Sequence, residues 1–118
     1  MALHSELSIY KVSYDLLDFA IDLIRNMPRD VKLLIGAKIR DECLALTVPI
    51  LRANKARDKV PHLAALVERL QEIEVLIRIS RDKRIINVGQ YAKAVGFTQS
   101  IGRQATAWSR HSAASPAA

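Results

Sequence analysis

Aromatic residues, glycine, proline and cysteine are all scarce in this sequence of 118 residues. Two Phe, three Tyr and one Trp leave a core that must be mostly aliphatic. Four Gly and four Pro are too few for the many turns of a β-sandwich. The single cysteine, Cys43, excludes an intramolecular disulfide and a cysteine-based metal cage. The chain is therefore expected to form one small domain with an aliphatic core.

Long apolar runs are also missing, since no stretch approaches the roughly 20 residues that a membrane-spanning helix needs. The N-terminus lacks the charged and apolar blocks of a signal peptide. Together with the lone cysteine, these features favour the reducing cytoplasm and no membrane partner. The small, uncharged residues 112–118 predict a disordered tail after a domain that spans residues 1–111.

Positive charge is in excess. Lys and Arg total 18 against 12 Asp and Glu, which gives a net charge of +6 and a pI near 9.8. This imbalance indicates an anionic partner, either nucleic acid or a membrane surface. The alternative is a solvated surface that happens to be basic.

Apolar residues recur at spacings of three and four, which predicts helices. The first helix, from about Ser8 to Asn26, carries two adjacent apolar stripes, more than a simple surface helix needs. The excess predicts a second contact, either within a bundle or with another subunit. One stripe contains Tyr10, Tyr14, Leu17, Ile21 and Ile24, and the other contains Ile9, Val12, Leu16, Phe19 and Leu23.

The second helix is predicted from about Val31 to Asn54, with Asp30 as its N-cap. Pro49 falls inside its apolar pattern, where it removes a backbone donor and clashes with the preceding turn. We therefore expect a kink within residues 45–49. The alternative is a helix that ends at Val48.

Pro61 suits the first turn of a third helix, which ends within residues 81–84. Asn87 is the predicted cap of a fourth helix that reaches about Arg110. Four helices of similar length joined by short loops predict an all-α, antiparallel up-down-up-down four-helix bundle. The residues predicted to be largely buried are Tyr14, Leu17, Ile21, Ile39, Leu46, Leu66, Leu70, Ile73, Ile77 and Trp108.

Patterns for catalysis or metal binding are missing. His4, His62 and His111 lie near the termini or at a helix start, and none is positioned with a Cys, Ser or carboxylate for nucleophilic catalysis. No Glu is followed three residues later by His, the pattern of a carboxylate-bridged metal site in a bundle. Glu42 and Glu72 could face each other, but one carboxylate pair makes no site. We therefore expect a non-enzymatic protein without a metal or cofactor.

Basic residues concentrate at the two ends of the predicted bundle, where they could neutralise phosphates without reading sequence. The alternative is that they only balance the helix dipoles. The position of Arg103 and Arg110 relative to the two ends depends on the helix tilt. The predicted RNA and DNA contacts are Arg25, Arg29, Lys32, Arg81, Lys83 and Arg84 at the first end, Arg52, Lys55, Arg57 and Lys59 at the second, and Arg78 in the third helix.

Four stretches, in this order and spacing, resemble a four-helix-bundle family. The family comprises the accessory variability determinant proteins of diversity-generating retroelements and the proteins encoded in bacterial 23S rRNA intervening sequences. The resemblance covers about Leu7 to Trp108. The stretches are residues 10–17 (YKVSYDLL), 36–40 (GAKIR), 76–86 (LIRISRDKRII), and Gln90-Tyr91 followed by residues 101–104 (IGRQ) and Trp108.

For the retroelement branch, the resemblance implies a homopentameric ring of bundles with a basic surface and no catalytic residues. Such a protein binds the reverse transcriptase and template RNA of its element and supports mutagenic cDNA synthesis. The intervening-sequence branch implies a structural or protein-interaction module instead. The sequence leaves both branches open, together with a plain interaction bundle whose basic surface is incidental and, third, a membrane-surface role.

Leu70 provides a test of the predicted core. Leu70→Ala should lower the free energy of unfolding by roughly 2–5 kcal/mol, because it removes buried surface and leaves a cavity. Urea titration followed by circular dichroism measures the change, with Glu68→Ala on another face of the same helix as the control. A loss no larger than that of the control would place Leu70 outside the core.

Overall fold

A computed structural model describes residues 7–114, and this part of the chain contains helices and short connections without a strand. The four-helix, all-α prediction is confirmed. No helix within these residues is long and apolar enough to cross a membrane. The elements are α1 (Ser8–Arg25), α2 (Arg29–Val31), a π-helical turn (Lys32–Gly36, here the π-turn), α3 (Ala37–Ala45), α4 (Thr47–Lys55), α5 (Val60–Asp82) and α6 (Val88–Ala114).

The segment from α2 to α4 contains no loop and serves as one of the four helices; we call it the second rod. The molecule is elongated, 52 × 20 × 19 Å, because the helices lie side by side. α1 packs on the second rod and on α6, and α5 packs on the other side of the same two elements. A single aliphatic core runs along the length of the bundle.

The core follows the predicted spacing most closely in α5. Side chains three and four residues apart point into the centre of the bundle, where their burial stabilises the fold. Six of the ten residues predicted to be buried are confirmed as such: Ile39, Leu46, Leu66, Leu70, Ile73 and Ile77. Leu17 and Trp108 are half-buried at the edge of the same core.

Two residues of α1 correct the prediction. Tyr14 is 60 % exposed and Ile21 is 44 % exposed, although both were expected in the core. The second stripe of α1, with Ile9, Leu16 and Leu23, takes the central position instead. Two neighbouring helices can cover only one wide face of a third, so the outer part of the Tyr14 stripe stays in solvent.

Helix ends agree with the sequence in some places and differ in others. The side chains of Asn87 and Gln90 each accept a hydrogen bond from the other's backbone N–H, at 2.7 and 2.9 Å, which confirms Asn87 as the cap of α6. The prediction of Asp30 as an N-cap is wrong. Because Pro28 has an extended backbone, the helix begins at Arg29, and Asp30 lies inside the first turn.

The last helix is longer than predicted. It continues through Ala114, so residues 112–114 extend the helix that was expected to stop near Arg110. Residues 112–114 are serine and alanine, and both residue types are compatible with a helix because they keep the backbone N–H that a helical hydrogen bond needs. Residues 115–118 of the predicted tail lie outside the described residues, as does His4.

The second rod departs twice from regular α-helix. The interruption between α3 and α4 at Leu46 falls within the predicted interval 45–49, and Pro49 lies in the first turn after it. The π-turn was not predicted. It ends at Gly36, where a Cβ would lie 2.9 Å from Cγ2 of Ile24 in α1. Glycine is therefore needed here for close approach of two helices.

Gly36→Ala should lower the free energy of unfolding by about 1–3 kcal/mol because the new methyl group overpacks the contact with Ile24. Gly96 in α6 is the matched control, since nothing lies within 4 Å of the position of a Cβ there. Gly96→Ala should raise stability by up to about 1 kcal/mol through helix propensity. Thermal unfolding of both variants measures the two effects, and stabilisation by Gly36→Ala would refute the close packing.

Candidate nucleic-acid interface

Contacts between cations and aromatic rings show which helix ends lie together. Arg81, near the end of α5, lies 4.3 Å from the ring centroid of Tyr91 in the first turns of α6. Lys59, just before α5, lies 5.9 Å from the ring of Trp108 near the end of α6. Residues 7–9 share a cavity with Trp108, so α1 also begins there. We call the end with Arg81 the first end and the end with Lys59 the second end.

The first end brings together the six basic residues predicted for it. Arg25 and Arg81 have acidic neighbours, Asp22 at 3.8 Å and Asp82 at 2.8 Å. The hydrogen bond with Asp82 raises the pKa of Arg81, which therefore stays charged. The remaining four make no ion pair with any residue in the range 7–114. These four are Arg29, Lys83 and Arg84, which are exposed, and Lys32, which is half-buried.

Arg84, at the first end, has an unusual backbone conformation. Its φ is 59°, in the left-handed region that favours glycine. The N–H of Ile85 donates to the carbonyl of Ser80 at 2.8 Å, and the N–H of Arg84 donates to that of Arg81 at 2.9 Å. These bonds close α5 in a Schellman motif, whose left-handed position is usually glycine. Arginine at this position costs about 1 kcal/mol of backbone strain.

The second end carries Arg52, Lys55 and Arg57, all exposed and without an ion pair to the described part of the chain. α6 adds Arg110 to this end, because Arg110 and Val60 line one groove. The prediction from the sequence places Arg110 at neither end. The length of the fourth helix could have placed it, because a helix that starts at the first end and reaches residue 110 ends beside the loop before α5.

Lys59 differs from its basic neighbours at the second end. Its Nζ donates hydrogen bonds to the backbone carbonyls of Ala53 at 2.8 Å and Ala56 at 2.9 Å. A third, longer bond of 3.4 Å reaches the carbonyl of Asn54. The ammonium therefore closes the C-terminus of α4, whose carbonyls would otherwise lack partners. All three of its donors are used within the protein.

Arg78 and Arg103 lie along the α5–α6 face rather than at an end. Arg78 lines a small cavity with Glu74 and Tyr91. Arg103 and Arg110 line a neighbouring groove that also includes Glu74. Arg78 and Arg103 lie between the two basic ends on one side of the bundle, where the exposed Glu74 separates them.

The expected approach of Glu42 and Glu72 is present, between α3 and α5. Glu42 is buried, and Lys38 and Arg69 hold its two carboxylate oxygens at 3.1 and 3.4 Å. Burial raises the pKa of Glu42, but hydrogen bonds with Lys38 and Glu72 and the nearby cations outweigh it and lower the pKa overall. This arrangement ties two helices together.

Metal ligands and the one cysteine are the other candidates for a chemical site. Within residues 7–114 no three His, Cys, Asp or Glu side chains cluster as metal ligands. Burial raises the pKa of the Cys43 thiol to about 12, so the reactive thiolate is suppressed.

Glu42→Gln tests whether the buried carboxylate stabilises the bundle. Because folding lowers the pKa of Glu42 below its ordinary 4.5, its contribution is complete above that pH and is lost as the pH falls through the folded value. The free energy of unfolding of the variant should be about 1 kcal/mol lower at neutral pH. It should also decrease less than that of the unchanged protein as the pH is lowered. Urea titrations at several pH values, with the exposed Glu68→Gln as control, measure this; an unchanged pH profile would contradict it.

Comparison with known proteins gives one match. The sequence model of the bAvd-like family matches residues 7–112, nearly the whole described chain. Neither a curated protein nor a solved structure matches. The match extends from the first turn of α1 almost to the end of α6, so it includes all four helices and both basic ends. The chain belongs to the bAvd-like family.

Proposed function

We propose that this protein is a non-enzymatic accessory factor of a diversity-generating retroelement. In this role it binds the element's template RNA and reverse transcriptase and supports mutagenic cDNA synthesis in the cytoplasm. Membership of the bAvd-like family supports the accessory role. The observation that carries the binding role is the set of basic side chains at both ends that form no ion pair within residues 7–114.

Electrostatics favours nucleic acid as the anionic ligand. Arg29, Lys83 and Arg84 at the first end, and Arg52, Lys55 and Arg57 at the second, are exposed and available to phosphates. Each phosphate that a cation neutralises releases a counterion, which makes binding strong at low salt and weak at high salt. The two aromatic rings near these clusters, Tyr91 and Trp108, already contact Arg81 and Lys59. We therefore expect little base stacking and little sequence preference. Lys59 is excluded from the proposed set because its donors are used.

The proposed arrangement of the helices is antiparallel up-down-up-down. It is supported by contacts that join the start of one helix to the far end of its neighbour. Lys59 with Trp108 joins the start of α5 to the last turns of α6, and residues 7–9 at the start of α1 line a cavity with the same Trp108. In this arrangement the connections near residues 26–28 and 83–87 share the first end.

Assembly of identical bundles would raise the positive field further. The outer stripe of α1, with Tyr14 and Ile21, is apolar and exposed, and it offers a surface for a second copy of the chain. The second rod also exposes Leu44 and Val48. A ring of five copies, each with a charge of +6, would carry about +30 and concentrate polyanions.

Replacing Arg81, Lys83 and Arg84 together by Glu should weaken binding of structured RNA strongly, because it reverses one basic end. Helical circular dichroism should stay unchanged, since none of the three lies in the core. Electrophoretic mobility shifts at several salt concentrations measure the affinity, and the slope against salt should decrease. Binding that is indifferent to both salt and substitution would leave the basic residues as compensation for helix dipoles.

Arg84→Gly is a sharper companion variant. It removes one positive charge and also relieves the left-handed strain, so stability should rise by about 1 kcal/mol while RNA affinity falls. A loss of affinity in a more stable protein cannot be attributed to unfolding. cDNA synthesis with the reverse transcriptase should decrease in parallel, and unchanged synthesis would favour a structural module of the intervening-sequence type.

Tyr14→Lys combined with Ile21→Lys should disrupt self-association, because two charges would be buried at the proposed interface. Sedimentation or light scattering at micromolar concentration should report an oligomer for the unchanged protein and a monomer for the variant. Glu68→Lys on α5 is the matched charge control. A monomeric unchanged protein would exclude the assembly, and a dimer or tetramer would exclude only five-fold symmetry.

A further inference from the structure

Two adjacent leucines of the π-turn are among the most exposed apolar side chains of the described chain. Leu33 is 67 % exposed and Leu34 is 72 % exposed. Each therefore forgoes much of the stabilisation that full burial of a leucine would give. Single exposed leucines are common, but here two neighbours occupy a rare helical geometry that often marks functional positions. The proposed binding of phosphates uses only the charges and gives this pair no role.

Charged residues precede the leucine pair, with more positive than negative charge among them. Arg29 and Lys32 form no ion pair with a residue in the described range, and the exposed Asp30 lies between them. The cations that follow it are engaged, since Lys38 contacts Glu42. Arg40 is likewise engaged with its neighbour along the chain. A ligand of this surface would therefore meet two aliphatic side chains flanked by two available cations.

The rest of the first end has the same mixed character. Val88 is 73 % exposed and lines a cavity with Arg81, Arg84 and Ile85. α1 lies between this cavity and the π-turn, because it packs on both α6 and the π-turn. The second end is less apolar. Val60 at that end has an exposed fraction of only 38 %, well below the values of Leu33, Leu34 and Val88. Phosphates can satisfy the cations of either end, but they offer nothing to cover aliphatic groups.

We infer that the first end is the docking surface for a protein, and that the ligand is an acidic segment carrying apolar anchors. Its apolar side chains would cover Leu33 and Leu34, and its carboxylates would meet Arg29 and Lys32. Two copies that meet through their first ends do not fit, because this isologous contact would bring like charges together. This inference rests on the proposed function, in which the reverse transcriptase is the protein partner.

The test compares Leu33→Gln/Leu34→Gln with the unchanged full chain, using purified reverse transcriptase of the same element as the probe. The double variant should bind the enzyme at least about tenfold more weakly, as expected for the loss of central apolar anchors. Its RNA affinity should stay within about twofold, because both basic ends are unchanged. Val75→Gln, which removes an exposed apolar residue in the middle of α5, is the matched control and should leave both affinities unchanged.

Arg29→Glu/Lys32→Glu provides a second, independent variant. It should slow association with the reverse transcriptase at low salt and have less effect at high salt. Stronger binding by this variant would show a basic ligand and overturn the inference. So would loss of self-association, or of binding to anionic vesicles, in the leucine variant.

The outcomes also separate the two proposals. If the unchanged protein binds the enzyme and the leucine variant binds equally well, the docking surface is wrong and the proposed function stands. If the unchanged protein does not bind the enzyme, the proposed function fails and the inference fails with it.

Discussion

The aliphatic seam along α5 is the feature on which the other parts of the molecule depend. Leu63, Leu66, Leu70, Ile73 and Ile77 repeat at three and four residues and are all buried. Each buried side chain of this size contributes about 1.5–3 kcal/mol. The seam holds the second rod and α6 against α5. Because α5 spans 23 residues, its two ends lie far apart. The basic cluster at the first end is therefore far from the cluster at the second end.

Residues of the same type have different physical roles at the two ends. The ammonium group of Lys59 donates its hydrogen bonds to backbone carbonyls at the C-terminus of α4, so this side chain caps a helix. Arg84 does the opposite: its side chain is exposed and its backbone is strained, in a place where glycine would serve the turn better. The Schellman motif explains the left-handed backbone, but it does not require an arginine side chain. Composition alone could not distinguish a cap from a candidate contact.

The π-turn has a comparable double effect. Its last residue, Gly36, permits α1 and the second rod to approach closely. The same turn leaves Leu33 and Leu34 in solvent beside Arg29 and Lys32. One local change of helical geometry thus tightens the interior and creates a mixed apolar and basic surface. Proteins with such surfaces differ from purely electrostatic binders, because apolar anchors add specificity to charge.

The sequence by itself determined the number of helices, the core of α5, the cap at Asn87 and the interruption near Pro49. These features follow from local rules: apolar period, side-chain capping and the missing donor of proline. Even the approach of Glu42 to Glu72 followed from helical spacing. Local rules succeed here because each of these features is decided within a few turns of one helix.

Only the tertiary structure decided which stripe of α1 is covered, where the second rod widens, and which cations remain available. The stripes of Tyr14 and Leu16 both have the helical period of a core face, and the positions of the neighbouring helices select the Leu16 stripe for the core. Gly36 required knowledge of Ile24, which lies on another helix. The role of Lys59 required the carbonyls at the end of α4. In each case the deciding atom lies outside the local segment, where neither periodicity nor propensity carries information.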